Sequence, residues 1–203
     1  MRPVLYEIDD RLYLALTNRC PTSCTFCPKG PWEMTFRGAD LRVEREPSAD
    51  EMIAAVDERV ARGGISEVVF CGYGECTYRL EAVSSIGLFL RLHRRGTKVR
   101  LNTIGLGSLI WGRDIARLLS LCLDEVSVSL NTADPLQWDE LHRPRPEYRG
   151  LGFAAATVFA SRCVEVGLKT TVTAIDLPGV DVSAVCALAG WLGAGFRERP
   201  RLL

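Results

Sequence analysis

The sequence lacks an excess of charge of either sign, because 25 lysine and arginine residues are matched by 25 aspartate and glutamate residues. A protein that binds DNA non-specifically needs a basic surface, so this balance leaves no nucleic-acid footprint. The sequence also lacks an apolar run of bilayer length, and its first residues lack the apolar core of a signal peptide. We therefore expect a cytoplasmic protein that has no membrane segment.

The length and composition are those of an ordinary globular protein. The chain has 203 residues, of which 47% are hydrophobic and 25% are charged. This is about the size of one domain, and we treat residues 1–203 as a single domain. The eight cysteines of the chain, in a reducing compartment, are more consistent with free or metal-bound thiols than with disulfides.

Three of these cysteines lie close together in the segment from Asn18 to Lys29. Cys20, Cys24 and Cys27 have the spacing C-x-x-x-C-x-x-C, and a loop this short keeps their thiols near one metal centre. A structural zinc knuckle is an alternative, although it usually has two paired C-x-x-C units and four ligands. A disulfide with one spare thiol is another, although no secretory context supports it.

The spacing, with the aromatic Phe26 directly before the third cysteine, resembles the motif of the radical S-adenosylmethionine (SAM) superfamily. The resemblance implies that the three cysteines bind a 4Fe-4S cluster and that SAM occupies its fourth iron. It also implies an electron donor of the flavodoxin or ferredoxin type. Reductive cleavage of SAM to a 5′-deoxyadenosyl radical, which abstracts hydrogen from a substrate that the sequence does not identify, is the activity that follows.

Strand and helix patterns alternate about every thirty residues, without any sign of a hairpin. Right-handed parallel crossovers produce this alternation, so we predict an α/β fold. Five or six units are too few for a complete eight-fold barrel, and the resemblance implies an open partial (β/α)6 TIM-like barrel. The predicted strands are 12–17, 67–71, 98–103, 125–131, 169–175 and a weak one within 196–203. A cluster loop at 18–30 and an extended loop at 30–47 separate the first strand from a helix that begins at Ser48.

The aliphatic residues of the strands alternate with polar ones. If the aliphatic set faces the helices, the barrel lumen receives a polar set: Tyr13, Thr17, Asn102, Ser127, Ser129, Asn131, Thr171 and Thr173. Buried polar groups without partners cost about 1 to 3 kcal/mol each, so this set favours a polar ligand in the lumen. A lumen whose polar groups bond to water or to one another is the alternative.

The turn Gly72-Tyr73-Gly74-Glu75 follows the predicted second strand. Its glycines allow close backbone approach, and Glu75 can accept hydrogen bonds from an ammonium group. The turn looks like the glycine-glycine-glutamate element with which the family holds the amino group of SAM. The residues that we expect to contact SAM are therefore Phe26, Gly72, Gly74, Glu75, Asn102, Ser129, Asn131 and Thr173.

Four segments together resemble a small subgroup of radical SAM proteins associated with TatD-family nucleases: 16–20, 41–47, 72–75 and 127–131. Members of this subgroup tend to have proline where this chain has Cys76, for which we favour a packing role. The resemblance leaves three functions open: an enzyme acting on a small molecule, an activase that generates a radical on a partner protein, and a non-catalytic metal-binding partner of a TatD-type nuclease.

Several residues outside these motifs receive structural interpretations. Cys122, Cys163 and Cys186 lie in or beside helical segments among aliphatic neighbours, which favours core packing. His142 follows a predicted strand, where a loop histidine is commonly exposed, and we assign it no firm role.

Overall fold

The computed structural model describes residues 3–202, so the predicted single domain of 1–203 and the predicted strand within 196–203 extend slightly beyond them. The strands are β1 Val4–Ile8, β2 Arg11–Ala15, β3 Thr35–Phe36, β4 Ala39–Asp40, β5 Glu67–Phe70, β6 Lys98–Thr103, β7 Glu125–Ser129, β8 Lys169–Ile175 and β9 Gly195–Arg199. The helices are α1 Ala49–Ala61, α2 Leu80–His93, α3 Gly107–Trp111, α4 Ala116–Ser120, α5 Pro135–His142, α6 Gly152–Glu165 and α7 Val182–Trp191. Two 3-10 turns cover Cys76–Arg79 and Pro146–Tyr148.

The main sheet has seven strands in the order β1-β2-β5-β6-β7-β8-β9. From β2 to β9 all neighbouring strands are parallel, and helices connect them. This confirms the predicted α/β fold, and the open order of the strands is compatible with a partial (β/α)6 barrel. Strand β9 also shows that a strand forms within the weakly patterned carboxyl-terminal segment.

The expectation of no hairpins is wrong. Strand β1 pairs antiparallel with β2, with Ile8 opposite Arg11. The two-residue turn between them includes Asp9, whose φ of 55° lies in the left-handed region, where aspartate is one of the few residues that is tolerated. A second hairpin, β3–β4, lies within the extended loop at 30–47. Neither turn contains the Asn-Gly or Asp-Gly pair that would signal a hairpin.

Alternation along the strands divides the molecule into two interiors. The aliphatic residues of the strands are fully buried with the helices in one core, for example Leu12, Leu14, Leu101, Val126 and Val128. The opposite face lines the lumen, as predicted. Among the members of the polar set, Thr17, Ser127, Asn131 and Thr173 are buried, and Tyr13, Asn102, Ser129 and Thr171 are partly buried.

Ion pairs fill the end of the lumen at the amino ends of the strands. Arg100 donates two hydrogen bonds to Glu67, at 2.9 and 3.0 Å, and Glu67 also pairs with Arg11 at 3.2 Å. Lys169 contacts Glu125 at 2.7 Å. At this end of the lumen the polar groups therefore bond to one another, which is the alternative that the sequence left open. A cleft of about 370 Å³ opens beside it, away from the three cysteines, and its lining includes Glu67, Glu125 and Lys169.

The extended loop is fixed to the start of the cluster loop. Asn18 exchanges two hydrogen bonds with the backbone of Val43, at 2.9 and 3.1 Å. Glu46 pairs with Arg19 at 2.8 Å and with Arg79 at 3.3 Å. These contacts join the two loops, so the segment is ordered although it lacks a regular period.

No helix within residues 3–202 is long and apolar enough to cross a membrane.

Helix α1 begins with the predicted capping box. The Ser48 hydroxyl accepts from the backbone N–H of Glu51 at 3.1 Å, and the Glu51 carboxylate accepts from the backbone N–H of Ser48 at 2.7 Å. Met52, Val56 and Val60 are buried on one face of the helix. The local sequence signal is therefore sufficient for this helix.

Replacing Ser48 with alanine removes one half of this box. We expect Ser48→Ala to lower the free energy of unfolding by about 1 kcal/mol, because an N–H at the start of the helix loses its acceptor. Urea denaturation followed by circular dichroism measures the change. Ser183→Ala, at an exposed position in α7, is the control, and an equal loss in both variants would contradict the capping role.

Candidate functional site

The three cysteines follow β2 at the edge of the sheet where its parallel strands end. The sulfurs of Cys20 and Cys24 flank one hydroxyl, that of Thr22, at 3.5 and 3.3 Å. All three cysteines are free and partly buried. The turn at Cys24–Cys27, closed by a backbone hydrogen bond of 3.1 Å, brings the third thiol toward the other two. The structure thus places the predicted ligands together in one short loop.

The thiols in this loop are poorly solvated. Burial raises the pKa of Cys20 and raises the pKa of Cys24 to about 12. Within the described residues, no three His, Cys, Asp or Glu side chains converge closely enough to share a single metal ion. A 4Fe-4S cluster does not require such convergence, because each thiolate binds a different iron.

The turn at 72–75 packs directly on the backbone of the cluster loop. A Cβ atom on Gly74 would lie 2.1 Å from the carbonyl oxygen of Thr17 and 2.8 Å from that of Arg19. The next residue, Glu75, donates its backbone N–H to the Arg19 carbonyl at 2.8 Å. A Cβ on Gly72 would lie 2.8 Å from the Cβ of Ala15. The glycines are therefore required by contacts within the protein, whatever they contribute to ligand binding.

The Glu75 carboxylate is 4% exposed and accepts four hydrogen bonds. Its Oε1 accepts from the Thr77 backbone at 3.1 Å and from the hydroxyls of Thr77 and Thr103 at 2.8 Å each. Its Oε2 accepts from the Ile104 backbone at 2.8 Å. Burial raises the pKa of Glu75, and these hydrogen bonds oppose the rise. Of the two oxygens, Oε2 has the greater remaining capacity to accept a bond.

His142 contacts the cluster loop, which the sequence did not reveal. It is 1% exposed, contrary to the expectation of an exposed loop histidine, and its Nδ1 lies 3.4 Å from the Cys24 sulfur. Burial lowers the pKa of His142 to about 3, so the ring is neutral near pH 7. Its Phe26 neighbour meets the ring edge-on at 5.3 Å between centroids. His142 lies in helix α5, one turn after Trp138. The i, i+4 spacing of these two aromatic residues was the sequence feature that could have indicated a packed histidine.

The predicted lumen residues differ in how they are used. Asn131 is fully buried, has a φ of 66°, and its Oδ1 accepts from Arg199 at 3.3 Å. Asn102 accepts from Arg100 at 2.9 Å, which joins it to the ion pairs at the far end. Thr173 donates to the Val128 carbonyl at 3.5 Å. Ser129 lies partly exposed at the carboxyl end of β7.

Arg199, in β9, was not predicted as a lumen residue. No Asp or Glu side chain in the described part of the chain forms an ion pair with it, and its buried Nε has no hydrogen-bond partner there. Burial is the largest cause that lowers the pKa of Arg199. A guanidinium remains charged even so, and an uncompensated buried charge is costly. Arg199 therefore brings a guanidinium without a carboxylate partner to this end of the lumen, whereas Arg100 at the amino end is paired with Glu67.

The other cysteines divide into buried and accessible ones. Cys76 is 1% exposed and belongs to the hydrophobic core, which agrees with a packing role, as do Cys122 and Cys163. Cys186 is exposed, so its predicted packing is wrong, because the helix turns it to solvent. Cys71 is partly buried at the end of β5.

Comparison with known proteins agrees with this geometry. The family model of the radical SAM superfamily matches residues 14–192 of this chain. The matched range includes the cluster loop and every strand from β5 to β8. The chain belongs to the radical SAM superfamily. Proteins of this superfamily use a 4Fe-4S cluster and SAM, and the members compared below are enzymes.

Proteins similar to this radical SAM chain include two whose names give different activities. It is 30% identical over 183 residues to a GTP 3′,8-cyclase of Streptomyces coelicolor, covering 89% of this chain and 48% of the relative. A radical SAM methyltransferase of Sphaerobacter thermophilus has a similar structure, with a TM-score of 0.65 at 21% identity over 97% of this chain and 57% of that one. SuiB of Streptococcus suis bound to SAM gives 0.64 at 16% identity over 93% and 38%.

The chain spans about half the length of the relatives it matches. The structural likenesses, all at low identity, establish the shared fold. The substrates of these relatives are therefore not transferred to this chain by similarity.

The donor set of this radical SAM chain fits an iron-sulfur cluster. Thiolates are the ligands that such clusters prefer, and three of them leave one position without a protein ligand. The thiols of Cys20, Cys24 and Cys27 are free and lie in one loop. A polar lumen lies next to them and ends at Asn131 and Arg199.

The contact at Gly74 gives a test of how the cluster loop is held. We expect Gly74→Ala to lower both thermal stability and the iron and sulfide content after anaerobic reconstitution, because a Cβ atom there overlaps the Thr17 carbonyl. Gly30→Ala is the matched control, since a Cβ at Gly30 in the same loop meets no atom within 4 Å. Equal iron incorporation by the two variants would contradict the docking role of the turn.

Proposed function

We propose that this protein is a radical SAM enzyme that binds a 4Fe-4S cluster through Cys20, Cys24 and Cys27. The observation that carries the proposal is the placement of these three free thiols beside the polar end of the lumen. When bound, the cluster supplies the electron that cleaves SAM to a 5′-deoxyadenosyl radical, while the protein supplies position and shielding. The reaction would be hydrogen abstraction from a substrate whose identity stays open.

The residues around the lumen offer complementary partners for SAM. Glu75 Oε2 and the backbone of the turn containing Gly72 and Gly74 would accept from its amino group. Phe26 would contact the adenine, and the ribose or carboxylate would meet the polar residues Asn102, Ser129, Asn131 and Thr173. The Asn102 side-chain oxygen already accepts a hydrogen bond from Arg100, so its amide N–H groups are the part of this side chain that would be free for the ligand.

Arg199 supports a ligand that has an anionic group. The carboxylate of SAM is one such group, and a carboxylate or phosphate of the substrate is another. Either would compensate a guanidinium that lacks a carboxylate partner within residues 3–202.

The ordered extended loop favours a small-molecule substrate. Phe36 of the β3–β4 hairpin packs edge-on against Tyr6 at 6.1 Å between centroids. Tyr73 donates from its hydroxyl to the Thr35 carbonyl at 2.6 Å. The loop is thus held against β1 and the turn after β5, and a loop fixed at this side of the rim would restrict entry of a polypeptide.

A reducing donor of the flavodoxin or ferredoxin type would supply the electron. A TatD-family nuclease is a candidate partner only through the subgroup resemblance of the sequence. Chemistry that depends on free thiols and a low-potential donor suits a cytoplasmic setting.

Anaerobic reconstitution tests the proposed cluster and its activity together. We expect the wild-type protein to take up iron and sulfide, to absorb near 400 nm, and to release 5′-deoxyadenosine from SAM under a strong reductant, as measured by mass spectrometry. Cys24→Ala should lose the product, whereas Cys186→Ala, which removes an exposed cysteine, should retain it. A colourless wild-type protein that carries zinc would refute the proposal.

The same assay separates catalysis from binding alone. If the wild-type protein assembles a cluster but forms no more 5′-deoxyadenosine than Cys24→Ala, a non-catalytic metal-binding partner of a nuclease becomes the better explanation.

A radical on a partner protein would distinguish an activase from a small-molecule enzyme. With a loop that covers the rim, we expect no stable protein-centred radical when the reduced protein and SAM are mixed with a cell extract. Electron paramagnetic resonance at low temperature makes this measurement, with Cys24→Ala as the control for background signals. A persistent organic radical that depends on Cys24 would instead establish the activase.

A further inference from the structure

His142 is the one ring nitrogen donor that contacts a cluster cysteine in the described chain. Its Nδ1 lies 3.4 Å from the Cys24 sulfur. The Cys20 sulfur lies 3.5 Å from the Thr22 hydroxyl, and the same hydroxyl lies 3.3 Å from the Cys24 sulfur. The three proposed ligands therefore have unequal surroundings, and the Cys24 side chain has the most extensive hydrogen bonding.

The position of the imidazole ring is fixed from both sides. Trp138 stacks on it with 4.4 Å between centroids and an interplanar angle of 12°. Trp138 is itself held against Gly152, where a Cβ atom would lie 2.2 Å from the indole. Phe26 meets the ring from another direction. The ring therefore has little freedom to leave the sulfur.

The backbone around His142 is joined to the cluster loop as well. Ser23 donates its N–H to the His142 carbonyl at 3.1 Å, and Thr25 donates to the Leu141 carbonyl at 2.8 Å. Thr22 also forms a bridge with Pro144. The end of α5 thus determines where Cys24 lies relative to the ring.

Nε2, the other ring nitrogen of His142, has one hydrogen-bond acceptor and one donor nearby. It can therefore find a partner in either neutral tautomer of the ring. Nε2 lies 3.2 Å from the Leu130 carbonyl and 3.3 Å from Asn131 Nδ2. With the hydrogen on Nε2, the ring donates to Leu130, and Nδ1 accepts from the Cys24 thiol. With the hydrogen on Nδ1, the ring donates to a Cys24 thiolate, and Nε2 accepts from Asn131.

We propose that His142 is a positioning residue that donates Nδ1–H to the Cys24 sulfur when this sulfur is a cluster ligand. This inference rests on the proposed cluster at the three cysteines. A hydrogen bond to a ligating sulfur withdraws negative charge, and the reduced cluster carries one more negative charge than the oxidised one. The bond therefore stabilises the reduced state and raises the reduction potential.

Three substitutions separate the hydrogen bond from packing. His142→Phe retains an aromatic ring on Trp138 but has no N–H group. His142→Asn carries its amide nitrogen near the position of Nδ1, whereas His142→Gln carries it near the position of Nε2. Reduction potentials of the reconstituted clusters, measured by titration followed with electron paramagnetic resonance, are the first readout.

We expect His142→Phe and His142→Gln to shift the potential to more negative values and His142→Asn to stay close to the wild-type value. Unchanged potentials in His142→Phe at full iron content would overturn the inference, and so would equal shifts in His142→Asn and His142→Phe. If His142→Phe assembles no cluster, the comparison of His142→Asn with His142→Gln decides the matter. A wild-type protein without any cluster would overturn the proposed function, and this inference with it.

The small number of histidines allows a direct second measurement. The chain has only two histidines, so a His93→Asn protein grown with ¹⁵N-histidine is labelled at His142 alone. We expect a ¹⁵N hyperfine coupling in the pulsed electron paramagnetic resonance spectrum of the reduced cluster, lost in a His93→Asn, His142→Phe double variant. Absence of this coupling in a fully loaded protein would also overturn the inference.

Discussion

The close approach of Gly74 to the carbonyl oxygens of Thr17 and Arg19 is the contact on which the site depends. The cluster loop has no regular secondary structure of its own, so its shape must come from neighbours that accept and donate its backbone hydrogen bonds. The turn after β5 supplies one side through the N–H of Glu75, and the end of α5 supplies the other side through the carbonyl of His142. Two crossovers that are distant in sequence thereby hold a single short loop at one edge of the sheet.

The lumen has two ends with different electrostatic properties. At the amino end, Glu67 pairs with both Arg100 and Arg11, and these pairs tie β2, β5 and β6 together. At the carboxyl end, Arg199 bonds only to a neutral amide oxygen within the described residues. A protein can satisfy the first arrangement by itself, whereas the second is best compensated by a ligand. This division leaves the end beside the cysteines for the proposed ligand, with a layer of ion pairs beneath it.

Local patterns were sufficient for most of the fold. In β7, Val126 and Val128 face the core and Ser127 faces the lumen. This alternation could be recognised in the sequence because the core is apolar and the lumen is polar. The capping box at Ser48 likewise needs only neighbouring residues. Strand β1 was missed because Val4–Ile8 is short and mostly half-buried, and its turn through Asp9 contains no glycine. This strand is stabilised by its pairing with β2, and the local propensity of its residues does not reveal such a pairing.

The site was predictable where it consists of a motif and unpredictable where it consists of contacts between motifs. The three cysteines are recognisable by spacing alone, but His142 is 118 residues from Cys24 in sequence. Its burial arises because the helix begins at Pro135 and extends through His142, which places the ring over Trp138 and under the cluster loop. Burying an imidazole beside a sulfur is costly unless both ring nitrogens find partners. Leu130 and Asn131 both lie within hydrogen-bond distance of Nε2, so this nitrogen has a partner in either neutral tautomer while Nδ1 faces Cys24.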